Sequence, residues 1–192
     1  MEKMREMILR EGKVLPGGVL KVGSFLNQQI DTALLRDMGE EIAALYAGQG
    51  INKILTVEAS GIAIAAAVGL AMGVPMVFAK KHKSSNVDGE IWSVQAHSFT
   101  HGNDYAMVVS RDYLCQEDRV LLVDDFLAGG NALRALSSLC QQAGATVVGM
   151  AVAIEKGFQG GGDALRQEGY RVESLAIVES MDQGEIQFRE ER

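Results

Sequence analysis

The chain has only two cysteines in 192 residues, Cys115 and Cys140. Two are too few for a disulfide framework and lack metal-binding spacing, so a reducing cytosol is expected rather than secretion. Basic charge is also scarce: 18 Lys and Arg stand against 25 Asp and Glu, a formal net charge of -7. That balance argues against a nucleic-acid-binding surface, so any phosphate must be held by local groups. Long hydrophobic runs are missing as well. Residues 62–72 are wholly apolar or glycine, which is too short to span a membrane and reads as a buried helix. The opening residues, with Glu2, Lys3, Arg5 and Glu6, are unlike a signal peptide. No internal repeat or low-complexity segment appears. With 47% hydrophobic and 22% charged residues, what is present suits one ordinary globular domain with ample core.

Taken in order, Met4, Met7 and Ile8 have helical spacing, and Gly12 followed by Pro16, Gly17 and Gly18 ends that pattern. Residues 19–22 suit a short strand. Asp31 and Thr32 can cap a helix whose apolar face is Leu34, Leu35, Met38, Ile42 and Leu45. Residues 53–57 read as a strand, 58–61 as a turn, 62–72 as the helix and 74–79 as the next strand, a βαβ unit that demands a parallel sheet. Residues 80–89 are polar with nothing to bury and are expected to be a mobile loop. Two strands, 91–99 and 105–110, should meet at a turn around His101, Gly102 and Asn103. A second βαβ half spans 119–143, with Gly144 as the helix stop. A further strand over 146–154 is ended by Glu155 and Lys156; a glycine-rich turn, a short helix and a strand over 172–178 follow. The charged tail from 185 to 192 is expected to fray.

The stretch 119–143 organises the rest. Val120, Leu121, Leu122 and Val123 read as a buried parallel strand that stops at Asp124 and Asp125, delivering two carboxylates to the sheet edge where ligands of open α/β sheets bind. Gly129 and Gly130 let the backbone approach a ligand, and the helix opening at Asn131 offers unpaired N–H groups, an arrangement suited to phosphate. Carboxylates beside a phosphate cradle need hydroxyls or a phosphate-bound Mg²⁺ to hold, so the pattern suggests a sugar phosphate. The turn of Glu58, Ala59, Ser60 and Gly61 should face the same edge and could take a second phosphate group.

The run Val123-Asp124-Asp125-Phe126-Leu127-Ala128-Gly129-Gly130-Asn131-Ala132 resembles the phosphoribosyl pyrophosphate motif of type I phosphoribosyltransferases. Within that family the likeness is greatest to the bacterial branch that acts on xanthine. It extends to Val19-Leu20-Lys21-Val22, Ser24-Phe25-Leu26-Asn27, Glu58-Ala59-Ser60-Gly61, Phe78-Ala79-Lys80-Lys81-His82-Lys83-Ser84, Ile154-Glu155-Lys156 and the residues 169–175. The resemblance implies a central, mostly parallel sheet flanked by helices, with a core of about 31–156 and a small hood from about 1–30 and 157–192. It implies that Ala128, Gly129, Gly130, Asn131 and Ala132 bind the 5′-phosphate, that Asp124 and Asp125 hold the ribose hydroxyls, and that Glu58, Ala59, Ser60 and Gly61 form the pyrophosphate loop. It further implies that Lys81 reaches pyrophosphate from the partner subunit of a homodimer, that Leu20, Asn27 and Lys156 contact xanthine, and that Mg²⁺ arrives on phosphoribosyl pyrophosphate. Taken alone, Lys156 reads as a surface lysine after a strand.

The chain departs from the wider family in two ways. Its phosphate loop carries no threonine, so backbone donors must do more of the binding. Where relatives acting on hypoxanthine or guanine carry an acid near the purine imidazole, this chain has Ala128. The expectation is that xanthine, a relatively acidic base, sheds its proton without a side-chain acceptor.

Other classes fit less well. A phosphoribosyl pyrophosphate-sensing repressor needs a DNA-binding segment, and the region before Asp31 has neither the charge nor the length for a winged helix. A phosphorylation-controlled receiver could use Asp124, Asp125 and Lys156, but needs a lone aspartate ending a middle strand, where this chain has Lys80 and Arg111. His97 and His101 share a metal-like spacing but fall in a strand and a turn without a carboxylate cluster, so no metal site is expected there. Trp92 reads as packing or as a closing residue beside the polar loop.

Overall fold

The chain opens with helix α1 (Glu2–Glu11), then a hairpin of β1 (Lys13–Leu15) and β2 (Val19–Lys21), one π-helical turn (Gly23–Asn27) and helix α2 (Thr32–Leu45). The Asp31 carboxylate caps α2, accepting from the Ala33 and Leu34 N–H groups at 3.0 Å each. Strand β3 (Lys53–Val57), helix α3 (Gly61–Met72) and strand β4 (Met76–Ala79) form the first βαβ unit, and β5 (Ile91–His97) and β6 (Asp104–Ser110) pair as a separate antiparallel hairpin. Then come β7 (Arg119–Leu127), α4 (Asn131–Ala143), β8 (Thr146–Lys156), α5 (Gly161–Gln167), β9 (Val172–Ser180) and β10 (Gln187–Phe188). This computed structural model describes residues 1–81, 89–97 and 104–190. Most of the expected loop, including His82, Lys83, Ser84, Ser85, Asn86 and Asp88, the turn at His101, Gly102 and Asn103, and the last two residues lie outside them.

The central sheet has the order β10-β9-β8-β7-β3-β4 and is parallel except for β10. Strand order runs outward from β7 in one direction through β8 and β9, and from β3 in the other direction through β4. The reversal puts a topological switch point between β3 and β7. Their pairing ends at Leu55 with Leu122, whereas β7 stays paired with β8 as far as Leu127 with Glu155. The upper halves of β3 and β7 therefore part, and a cleft opens between them.

Alternation along the strands sends Ile54, Leu121 and Val123 into a core beneath α1, α2 and α3, and Leu55, Val120 and Leu122 into a second core beneath α4, α5 and the β5–β6 hairpin. Helices thus cover both faces, as the parallel sheet requires. The hairpin is fastened to α4 by Gln142, whose side chain bonds the Ser93 backbone, and Trp92 donates to the Leu114 carbonyl at 2.9 Å. Trp92 is thus half-buried packing, with Arg111 stacked 4.1 Å from its ring centroid.

Several expectations change. Strand β7 does not stop at the acids but runs through Asp124 and Asp125 to Leu127, because β8 keeps pairing with it. In the same way β8 includes Glu155 and Lys156. Helix α3 is not buried all round. Gly61, Ile64, Ala65, Val68 and Gly69 face the core, while Leu70 is 86% exposed. Both faces are apolar, so periodicity could not reveal which one was covered. Leu45 ends its helix at the surface. The tail is docked as far as Arg189: β10 pairs with β9, and Arg189 bonds Asp163 and Glu179. Within residues 157–192, expected as part of the hood, strands β9 and β10 extend the main sheet.

Candidate active site

Strand β7 carries the acid pair into the switch-point cleft. Asp124 is 6% exposed, Asp125 is half-buried, and the Asp125 N–H donates to Asp124 Oδ1 at 2.9 Å. Burial, and then the neighbouring Asp125 charge, push the Asp124 carboxyl well above the usual carboxylate range, while the Lys81 charge pulls the other way. Tyr105 of β6 stands nearby, its phenol pushed up by burial and by Asp124. Lys81 Nζ lies 5.7 Å from the Tyr105 ring centroid. Lys81 therefore sits within electrostatic reach of the acids of its own chain.

The turn at 58–61 meets the same acids. A Cβ on Gly61 would lie 3.0 Å from Asp124 Oδ1 and 2.2 Å from Thr56 Oγ1, so only glycine allows α3 to start this close to β7. The Thr56 hydroxyl is buried and has no hydrogen-bond partner among the described residues. The Glu58–Ala59 peptide is cis. Glu58 is fixed at both ends: its N–H donates to the Ala79 carbonyl at 3.0 Å, and its carboxylate accepts from the Lys81 N–H at 2.6 Å. The base of the polar loop is thereby tied to the turn.

On the other side of the cleft, residues 128–130 lead into α4 through Gly130, whose φ of 85° suits glycine. Helices α3 and α4 both begin without a side-chain cap, in contrast to α2. Uncapped first-turn N–H groups and the positive dipole end make each start receptive to an anion. Two such starts, one on each side of a buried acid pair, can hold the two phosphate-bearing ends of a sugar whose hydroxyls meet the carboxylates. The acids also suit Mg²⁺ delivered by a substrate. Among the described residues no three His, Cys, Asp or Glu side chains gather to cage a metal, and Mg²⁺ commonly keeps water and phosphate oxygens as most of its ligands.

The residues expected to meet the base lie at the end of β8, in β2 and in the π-helical turn. Lys156 Nζ donates to the Gly18 carbonyl at 2.9 Å and lies 5.6 Å from the Phe126 ring centroid. Burial lowers its pKa. Gly18 in turn rests near the ring of Phe158. The tip of the β1–β2 hairpin is thus brought against Lys156. Leu20 is 5% exposed, its side chain committed to the core, and Asn27 is exposed at the end of the π-helical turn.

Sequence reading passed over several supports of this site. Tyr105 and Thr56 looked like ordinary strand residues, and no local signal distinguishes them. Gly161 looked like part of a boundary turn, yet a Cβ there would lie 2.0 Å from the Ala128 carbonyl oxygen and 2.8 Å from the Gly130 nitrogen. Glu155 is fully buried, held by both terminal nitrogens of Arg166 at 2.9 and 2.7 Å and by Ser174 Oγ at 2.5 Å. It anchors α5 and β9 beside Lys156. A separate open groove of about 1260 Å³ lies near α1 and β9, but its Arg166 and Arg189 are already paired with Glu155, Asp163 and Glu179.

Comparison with known proteins places the chain in a family. The phosphoribosyl transferase domain family matches residues 22–190. A protein of Bifidobacterium adolescentis named xanthine phosphoribosyltransferase is 54% identical over 192 residues, covering 98% of this chain and 100% of that protein. One of the same name from Moorella thermoacetica is 52% identical over 188 residues, covering 98% and 96%. Among solved structures, adenine phosphoribosyltransferase from Giardia lamblia superposes with a TM-score of 0.76 at 24% identity, over 91% of this chain and 96% of that one. The enzyme from Trypanosoma brucei gives 0.75 at 20% identity, over 91% and 78%. These structures share the fold. Identity above one half, sustained from end to end, establishes kinship: the chain belongs to the phosphoribosyltransferase family.

Proposed function

We propose that the protein transfers the 5-phosphoribosyl group from phosphoribosyl pyrophosphate to xanthine, giving xanthosine 5′-monophosphate and pyrophosphate, a purine salvage reaction. The observation that carries the reading is the contact between the turn opening α3 and the buried Asp124, across the cleft from the glycine start of α4. The substrate comes from the names of relatives at 54% and 52% identity. Residues 128–132 hold the 5′-phosphate through backbone N–H groups, and residues 58–61 hold the pyrophosphate. Asp124 and Asp125 accept from the ribose hydroxyls. A ring nitrogen of xanthine bonds to the anomeric carbon as the bond to pyrophosphate breaks, through an oxocarbenium-like state. Asp124 and Asp125 would hold Mg²⁺ brought in by the substrate, and that ion would supply charge neutralisation for the departing pyrophosphate. Lys81 adds to that neutralisation, and Lys156, with Asn27 and the main chain at Leu20, orients the base beneath a hood built from the β1–β2 hairpin and the turn after β8.

The test mixes the purified protein with phosphoribosyl pyrophosphate, Mg²⁺ and each base in turn. Nucleotide from xanthine is the expected product. Equal turnover of hypoxanthine or guanine would instead support the alternative transferase, and binding of phosphoribosyl pyrophosphate without any product would support a sensor. Ala128 stands where relatives acting on hypoxanthine or guanine carry an acid, so the acid limb of kcat/KM should follow the ionisation of the base itself, moving when a less acidic analogue replaces xanthine. Coincident profiles for the two bases would refute this.

The reading includes a homodimer. The outer face of α3 presents Ala63, Ala66, Ala67, Leu70 and Ala71 to a groove of about 490 Å³, with Arg36 and Glu40 of α2 beside it. An exposed apolar helix face flanked by Arg36 and Glu40 suits burial against a second copy of this chain. Leu70→Glu is expected to convert the dimer to a monomer by light scattering; a dimer that persists would place the interface elsewhere. The reading also includes a cytoplasmic setting, supported by two unpaired cysteines. Among the described residues no helix is long and apolar enough to cross a membrane.

A further inference from the structure

Deepening the reading above, on which it rests, we propose that Arg134 is a positioning residue for the 5′-phosphate loop, acting through the Gly129 carbonyl. The loop lacks side-chain hydroxyls: residues 128–132 are Ala, Gly, Gly, Asn and Ala. Its hold on phosphate then depends on where its peptide N–H groups point, and two glycines leave that orientation free unless something fixes it. Two contacts fix it. The Ala128 carbonyl oxygen lies against the start of α5, so close that only glycine fits at 161. The Gly129 carbonyl accepts from Arg134 Nη1 at 2.8 Å.

In a trans peptide the carbonyl and the following N–H point in opposite directions. Holding the Ala128 and Gly129 carbonyls against protein therefore turns the N–H groups of Gly129 and Gly130 the other way. Arg134 is itself held: its Nε and Nη2 reach Glu168 at the end of α5, at 3.1 and 2.6 Å to Oε1. The guanidinium thus ties the loop to the same helix that presses on it from Gly161. Engaged with a carboxylate on one edge and a carbonyl on the other, Arg134 serves the phosphate by fixing the loop rather than by offering its charge.

The two roles predict opposite signs for Glu168→Gln. If Arg134 positions the loop, removing its anchor loosens the Gly129 carbonyl and weakens phosphate binding. If Arg134 is a direct phosphate ligand, removing the competing carboxylate strengthens binding. The experiment measures the Kd of ribose 5-phosphate by calorimetry and the KM for phosphoribosyl pyrophosphate and for xanthine. For Arg134→Ala, ribose 5-phosphate affinity should fall about tenfold and the KM for phosphoribosyl pyrophosphate should rise alike, with kcat and the KM for xanthine within about twofold. Glu168→Gln should move both in the same direction by about threefold. Unchanged affinity in Arg134→Ala, or tighter binding in Glu168→Gln, would overturn the inference. Should Arg134→Ala fail to fold, Glu168→Gln decides alone. Because ribose 5-phosphate binding needs no turnover, a wild-type protein that binds it but makes no nucleotide would count against the proposed reaction and not against this role.

Discussion

Asp124→Asn is expected to lower turnover at least about a hundredfold while making the folded protein more stable. The activity loss follows from the proposed role, since an amide accepts more weakly from ribose hydroxyls and cannot attract an Mg²⁺-bearing substrate. The stability gain follows from burial. The Asp124 carboxyl is pushed well above its ordinary range by desolvation and by Asp125, so ionising it costs the native state more than the unfolded chain. A raised carboxyl contributes nothing unfavourable below its unfolded value and costs progressively more as pH rises towards its folded value. Asparagine removes that cost and can still accept from the Asp125 N–H through its own Oδ1. The difference in Tm should therefore be negligible in acid below the ordinary carboxylate range and grow as pH rises towards neutral. A gain of about 1 kcal/mol corresponds to about 2–4 °C for a chain of this size. Thermal melts of both proteins across pH check the sign. A Tm lower than wild type at neutral pH would mean that Lys81 outweighs burial.

Lys156→Met should raise the KM for xanthine by about tenfold or more, the cost of losing a charged donor to a partly desolvated acceptor. The same change removes the bond to the Gly18 carbonyl and so loosens the hairpin tip, but the methionine stem keeps the packing over Phe126. The KM for phosphoribosyl pyrophosphate should stay within about threefold, because the donor site is built on other elements. Steady-state kinetics in both substrates decide this. If both constants rise together, Lys156 is a structural tie between hairpin and sheet and another group recognises the base.

The acid pair and the two glycine turns were legible in the sequence because each is a local pattern at the end of an apolar run. The capped helix from Thr32 was legible for the same reason: Asp31 and the apolar spacing lie within a few turns of one another. Hidden were the features set by partners far along the chain. The continuation of β7 through Asp124 depends on β8 pairing with it. The exposed face of α3 depends on what the sheet leaves uncovered, and a helix apolar all round gives no clue to that. The docking of the tail depends on Asp163 and Glu179 being brought to Arg189.

By itself, then, the order of residues determined the parallel sheet, its alternating helices and the chemistry offered at one edge, because strand and helix periods and turn residues act over short spans. Tertiary structure alone decided that β3 and β7 part above Leu55 and Leu122, and that Gly61 touches Asp124. It also decided that Arg134 and Gly161 brace the glycine loop. These are contacts between elements, set by strand order and close packing, and no window of neighbouring residues carries them.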